Sequence, residues 1–316
     1  MTQPTDKRTI KLIVVDLDGT LLNSAHQVSD RNEKAIKAAL AQGVQVAFAT
    51  GKTYLSAARL FEQLDFKAPG IFVQGLTLYD ADGKITHQST LNATAARQII
   101  TFAEDRGFFM LAYSGSRIVA RRHDAKIFDE MAKYHETIEA VGALQNMLGE
   151  MPVNKLVAIG ADARSAKALR WQLGVQHEGV IRTVQAGIPN MVEILPPGVS
   201  KGSALKLLTK DLRIAPENVL AMGDAENDIE MLQFAGVGVA MGHADAKVKE
   251  AADDIAPTND EDGVAVMIEK YVLPAPIAEK VQPQTQPSAD AKKASAPATT
   301  PLDELAETPD TGAKPS

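Results

Sequence analysis

Residues 11–20 read KLIVVDLDGT: the apolar run Leu12-Ile13-Val14-Val15 ends on Asp16, and Leu17, Asp18, Gly19 and Thr20 follow. A run that is continuously apolar suits a parallel strand buried on both faces, whose carboxyl end opens onto a binding crevice. Side chains alternate along a strand, so Asp16 and Asp18 leave its end on the same side. Carboxylates brought together repel and lose hydration, which favours a cation or a shared proton beside them. Oxygen donors of this kind take hard cations such as Mg²⁺. A polar turn capped by Asp and Gly is the plain alternative when the motif is taken alone.

The flanking sequence repeats the pattern. A helix is expected over 29–42, with Ser29 as N-cap and an apolar stripe of Ala35, Ile36, Ala39 and Leu40, then a strand over 44–50, a helix over 53–64 and a strand over 70–73. The rhythm returns late, with a helix over 201–212, a strand over 219–222, a helix over 229–234, a strand over 236–241 and a closing helix over 264–272. Alternating strands and helices predict an α/β fold, a doubly wound parallel sheet. Residues 81–195 read differently: a hairpin-like turn at 80–84, a helix over 95–106, a strand pair within 109–121, a strand over 156–160 and a helix over 163–173. This predicts an α+β domain inserted between core segments 1–80 and 196–273, with linkers near 80–84 and 188–198 that let it open and close. The final 43 residues, 274–316, hold 8 of the 16 prolines and no aromatic residue, and read as a disordered Pro/Ala-rich tail.

Further polar residues join the first motif at the expected sheet edge. Residues 219–228, VLAMGDAEND, place Asp224, Asn227 and Asp228 after an apolar strand, where a helix begins. The strand over 44–50 delivers Thr50 and Gly51, a hydroxyl and main-chain N–H groups suited to a phosphate. Lys201 adds a positive charge at the start of another helix.

With these motifs in this order, the chain resembles the haloacid dehalogenase-like (HAD) phosphohydrolase superfamily, most closely its Cof-like, type IIB branch. The resemblance spans residues 10–273 and implies a Rossmann-like core with a type IIB cap. It implies a Mg²⁺-dependent phosphatase acting on a small phosphorylated metabolite, a sugar phosphate or a nucleotide-like cofactor. Asp16 would be the nucleophile that forms an aspartyl-phosphate, and Asp18 the general acid and base. Asp16, the Asp18 carbonyl and Asp224 would hold the metal, while Thr50, Gly51, Lys52, Lys201 and Asn227 would contact the phosphoryl group or substrate and Asp228 would support them. Two positions depart from the pattern: Lys52 stands where Arg is usual, and Gln74 where Asn is usual.

Other readings are weaker. Thr50-Gly51-Lys52-Thr53 matches the end of a nucleotide-binding P-loop, but Val46 occupies the position of its first Gly and the intervening residues continue an apolar strand. A phosphomutase shares the aspartyl-phosphate chemistry, and a sensor of phosphometabolites shares the binding site. The formal charge of −7 argues against a broad nucleic-acid interface, and no apolar stretch reaches 18 residues, so no membrane association is expected. A chain without cysteine has neither disulfides nor thiolate sites, and a polar amino terminus without an apolar signal core points to the cytoplasm. Arg121, Arg122 and His123 form a cap cluster that is either solvated or anion-binding. Trp171 is expected in the cap core.

Overall fold

A computed structural model describes residues 9–273, apart from Tyr134 and residues 186–187; the tail expected over 274–316 lies outside the described residues. The chain begins with β1 (Leu12–Val15), α1 (Asp30–Ala41), β2 (Gln45–Ala49), α2 (Tyr54–Leu64), β3 (Gly70–Phe72), β4 (Thr77–Tyr79) and β5 (Ile85–Gln88). A second module follows: α3 (Ala93–Glu104), β6 (Phe109–Ser114), β7 (Arg117–Ala120), α4 (Ala125–Ala132), β8 (Ile138–Ala140), β9 (Lys155–Ile159), α5 (Ala163–Gln176), β10 (Arg182–Gln185) and β11 (Met191–Leu195). The chain returns with α6 (Lys201–Leu212), β12 (Val219–Gly223), α7 (Ile229–Phe234), β13 (Val237–Ala240), α8 (Ala246–Glu250), β14 (Asp254–Ile255) and α9 (Gly263–Tyr271).

One sheet runs β14-β13-β12-β1-β2-β3-β4-β5, parallel from β14 to β3 and antiparallel through the last two strands. Alternation along β1 explains the double winding. Ile13 and Val15 pack with Ile36 of α1 and Ile268 of α9, while Leu12 and Val14 pack with Leu205 of α6 and Leu232 of α7. Both faces are thus covered, as a parallel sheet requires. The second sheet runs β10-β11-β9-β6-β7-β8 and is antiparallel except between β7 and β8. Met110 and Ala112 of β6 bury against Ile99 of α3 and Leu169 of α5, whereas Leu111 and Tyr113 belong to the apolar cluster shared with the first sheet.

The caps follow local chemistry. The Ser29 and Thr53 side chains accept the main-chain N–H groups of Asn32 and Ser56 at the starts of α1 and α2, each a contribution of about 1 kcal/mol. The segment 80–84 is not an interdomain linker. Asp80 accepts N–H groups of Asp82 and Lys84 and closes the β4–β5 hairpin, so β5, beyond the boundary expected at residue 80, is the edge strand of the first sheet. The chain passes between the sheets through residues 89–92 and 196–200.

After β3 the backbone enters the left-handed region at Val73, Gln74 and Gly75, with φ of 50°, 63° and 94°. The turn presses Gly75 against the start of α6, where a Cβ would lie 2.4 Å from the Ser200 carbonyl oxygen. Gly75→Ala is expected to destabilise the protein by about 1–3 kcal/mol more than Gly43→Ala, which shares a positive φ but has open space around it. Equal melting temperatures for the two variants would refute a tight contact between this turn and α6.

Candidate active site

The parallel register brings the polar residues together. Val15 stands opposite both Phe48 and Met222, so Asp16, Thr50 and Asp224 emerge from β1, β2 and β12 at one edge. The Asp16 N–H donates to the Met222 carbonyl at 3.0 Å. The loop after Asp16 turns at Gly19, with φ of 80°, and a Cβ there would lie 2.5 Å from the Asp224 carboxylate. Only glycine permits both the conformation and the approach. One residue later, the buried Thr20 hydroxyl donates to Asp224 Oδ1 at 2.8 Å.

Lys201, the first residue of α6, is 2% exposed. Its Nζ donates to Asp16 Oδ1 and Asp228 Oδ1, each at 2.7 Å. Asp228 is fully buried, and its Oδ2 accepts the N–H groups of Asp224 and Ala225 at 3.1 and 3.0 Å. It therefore positions both the lysine and the loop that carries Asp224. Burial disfavours the lysine's charge, but Asp16 and Asp228 outweigh it and raise its pKa. Asp16 is held well above the ordinary carboxylate range: burial dominates, the repulsion of Asp228 and Asp224 adds to it, and Lys201 offsets part. Burial likewise raises Asp224.

Asp16, Asp224 and Asp228 can each place a carboxylate oxygen within 4.8 Å of the others. Lys201 meets two of these groups, while Asp224 meets the Thr20 hydroxyl and lies near His243; the all-oxygen donor set of the three carboxylates fits a hard divalent cation. Both oxygens of Asp228 are already engaged, which leaves Asp16 and Asp224 as the carboxylates open to a metal. The Asp18 carboxylate is not in this cluster, because Lys52 Nζ holds its two oxygens at 2.9 and 2.7 Å. A metal contact from Asp18 would come from its main-chain carbonyl, as the resemblance implies.

The departures from the family pattern acquire partners. Lys52 is neither solvated nor directed at open space, but largely buried against Asp18. The Thr50 hydroxyl oxygen accepts the Lys52 N–H at 3.1 Å, and the Thr50 carbonyl accepts the Gln74 N–H. Gln74 Oε1 accepts the Asn227 amide at 2.7 Å, which ties the loop after β3 to the loop after β12. The buried cap residue Glu136 was not anticipated from sequence: it accepts the Thr53 N–H and hydroxyl and the Ser56 hydroxyl at 3.0–3.1 Å, joining the second module to the start of α2. No periodicity or motif marks it, since its partners lie about 80 positions earlier.

Of the cap residues singled out in the sequence, Arg121 pairs with Glu104 and, with Arg122, lines a separate surface pocket. Trp171 is 70% exposed rather than core, because α5 turns Ala166, Leu169 and Leu173 inward. Arg170 and Arg182 instead line a cavity of about 690 Å³ together with Gln74, Lys201 and Asn227.

A doubly wound sheet that gathers acidic residues around one buried lysine at its strand ends is the architecture of an aspartate-centred hydrolase. The chain belongs to the haloacid dehalogenase-like hydrolase family, which it matches over residues 13–268. A Bacillus subtilis protein named 5-amino-6-(5-phospho-D-ribitylamino)uracil phosphatase YcsE is 32% identical over 265 residues, covering 84% of this chain and 96% of that one. An Arabidopsis thaliana protein named Endoribonuclease YBEY, chloroplastic, is 34% identical over 280 residues, but the chain spans only 47% of its length. A crystal structure of a haloacid dehalogenase-like hydrolase from Bacteroides thetaiotaomicron superposes with a TM-score of 0.76 at 30% identity, covering 83% of this chain and 99% of that one. The chain is an enzyme of the phosphatase class.

Asp228→Asn must turn an amide NH₂ toward either Lys201 or the two main-chain N–H groups. It is expected to lower stability by on the order of 3 kcal/mol and activity by about 10–100-fold. Thermal melting and steady-state kinetics test this; an unchanged Tm would show that Asp228 does not anchor the lysine.

Proposed function

We propose that the protein is a Mg²⁺-dependent phosphatase that hydrolyses a small phosphorylated metabolite through an aspartyl-phosphate on Asp16. The convergence of Asp16, Lys201, Asp228 and Asp224 at one sheet edge is the observation that carries this reading. The module between residues 89 and 195 would act as a cap over that edge, excluding water around the intermediate.

Asp16 attacks phosphorus in line: its carboxylate oxygen forms a bond to phosphorus as the bond to the leaving oxygen breaks. Asp18 gives its proton to the leaving alkoxide, then takes one from the water that attacks the aspartyl-phosphate, regenerating Asp16 and releasing phosphate. Lys201 fixes one oxygen of Asp16 and sets positive charge beside the transferring group. The Thr50 hydroxyl, whose oxygen already accepts from Lys52, keeps its own proton to donate to a phosphoryl oxygen. The Gly51 main-chain N–H and the Asn227 amide belong to the same phosphate-binding edge. Lys52, paired with Asp18, sets the orientation of the acid. Asp16, Asp224 and the Asp18 carbonyl would hold Mg²⁺, which neutralises charge between nucleophile and phosphate.

The molecule in the name of the Bacillus subtilis relative, a phosphoribitylaminouracil, carries a polyol phosphate joined to a heterocycle. That supports a substrate class that includes sugar phosphates and nucleotide-like molecules. A panel of such phosphate esters, ranked by kcat/KM with Mg²⁺, tests it.

Asp16→Asn is expected to abolish turnover while keeping or raising Tm, because it removes one of three crowded carboxylates. Phosphate release above about 1% of the wild-type rate would sink the nucleophile assignment. Chelation with EDTA is expected to stop turnover and Mg²⁺ to restore it, with Asp224→Asn needing about 10–100-fold more Mg²⁺ for half-maximal activity. An unaltered Mg²⁺ requirement would remove Asp224 from the metal site.

A further inference from the structure

The cavity beside Lys201 carries an imbalance of charge. Its three carboxylates are engaged: Glu193 accepts from Lys155 at 2.7 Å, Glu226 pairs with Lys247, and Glu230 accepts the Ser200 hydroxyl. Lys201 and Lys247 have partners as well. Arg182 on β10 and Arg170 on α5 face the same space from two elements of the second module, and among the described residues neither makes an ion pair or hydrogen bond. Arg117 and Arg121 of that module are instead matched with Glu139 and Glu104, away from this cavity. About 690 Å³ falls within the range of small-molecule sites and exceeds what a phosphoryl group alone fills. The space beyond Lys201 thus suits a leaving group several atoms long, with two cations at its far side.

We propose that Arg170 and Arg182 form a second anion site of the substrate pocket, selecting phosphate esters that carry a carboxylate or a further phosphate remote from the scissile group. The planar guanidinium matches either anion in a two-pronged fashion, which a lysine does not. Both arginines stand on α5 and β10 of the second module, not on the strand ends that carry Asp16, Thr50 and Asp224, so they set specificity and leave the chemical step to those residues. This inference rests on the phosphatase reading for its kinetic form.

The test compares 6-phospho-D-gluconate with D-sorbitol 6-phosphate, linear esters that differ at the far carbon by a carboxylate against a hydroxymethyl group, and uses p-nitrophenyl phosphate as a reference with no second anion. The wild-type enzyme with Mg²⁺ is expected to favour the phosphogluconate by about 10-fold or more in kcat/KM, mainly through KM. Arg170→Gln/Arg182→Gln should erase that preference while leaving sorbitol phosphate and p-nitrophenyl phosphate within about twofold and Tm unchanged. Absence of a preference in the wild type, its survival in the double variant, or an equal loss on all three esters would overturn the proposal. Failure to hydrolyse any of the three would count against the phosphatase reading instead. Calorimetric binding of the same two sugar-acid and polyol esters, wild type against double variant, then decides the arginine site by itself.

Discussion

The buried ammonium of Lys201 between Asp16 and Asp228 is the interaction on which the rest of the site depends. A lysine almost wholly removed from water is costly unless its donors are met, and two carboxylates meet it at 2.7 Å. Those carboxylates come from the end of β1 and the turn after β12, and the lysine from the first turn of α6. The three elements are adjacent because β12 lies next to β1 and α6 covers the face formed by Leu12 and Val14. Removing the lysine leaves carboxylates unpaired in a dry place, and removing Asp228 also frees the main-chain N–H groups of Asp224 and Ala225, so site geometry and local stability are closely linked. The three carboxylates also form an all-oxygen donor set, which makes the edge fit for a divalent metal.

Around that centre, loops are held by specific polar contacts rather than by bulk packing. The left-handed turn at Val73, Gln74 and Gly75 costs backbone strain, and it delivers Gln74 to Thr50 on one side and Asn227 on the other. Lys52 draws Asp18 away from the acidic cluster, so two aspartates that start from one strand end are separated into different electrostatic environments. Glu136 ties the second module to the start of α2, one residue beyond Lys52, so the placement of that module and of the loop carrying Thr50 is linked through a buried carboxylate.

Much of this was legible in the chain. The helices over 201–212 and 229–234 occur as expected, and α1 begins after the expected cap Ser29, because caps and apolar periodicity are local properties; α2 starts one residue later than expected, with Thr53 as its cap. The short strands β4, β8, β10, β11 and β14 were not foreseen. They carry little periodicity in three to five residues, and they exist because a neighbouring strand offers hydrogen-bonding groups. Residues 80–84 suit a hairpin turn and a domain boundary equally, since both draw on the same residue types, and they form the β4–β5 hairpin. Trp171 was expected inside for its size, yet its helix face is decided by where α5 rests on the second sheet.

Which residue stands at the end of each strand and start of each helix is legible along the chain: Asp16 after Val15, Thr50 after Ala49, Asp224 after Gly223, Lys201 after Ser200. Those positions follow from apolar runs, alternation and caps, all of which act over a few residues. The pairings come from the folded chain: Lys201 with Asp16 across 185 positions, Lys52 with Asp18, Gln74 with Asn227, Glu136 with Thr53, and the two arginines facing the cavity. Hydrogen bonds and screened charges act over a few ångströms of space, and distance in space is set by sheet order and module placement, which no local pattern encodes.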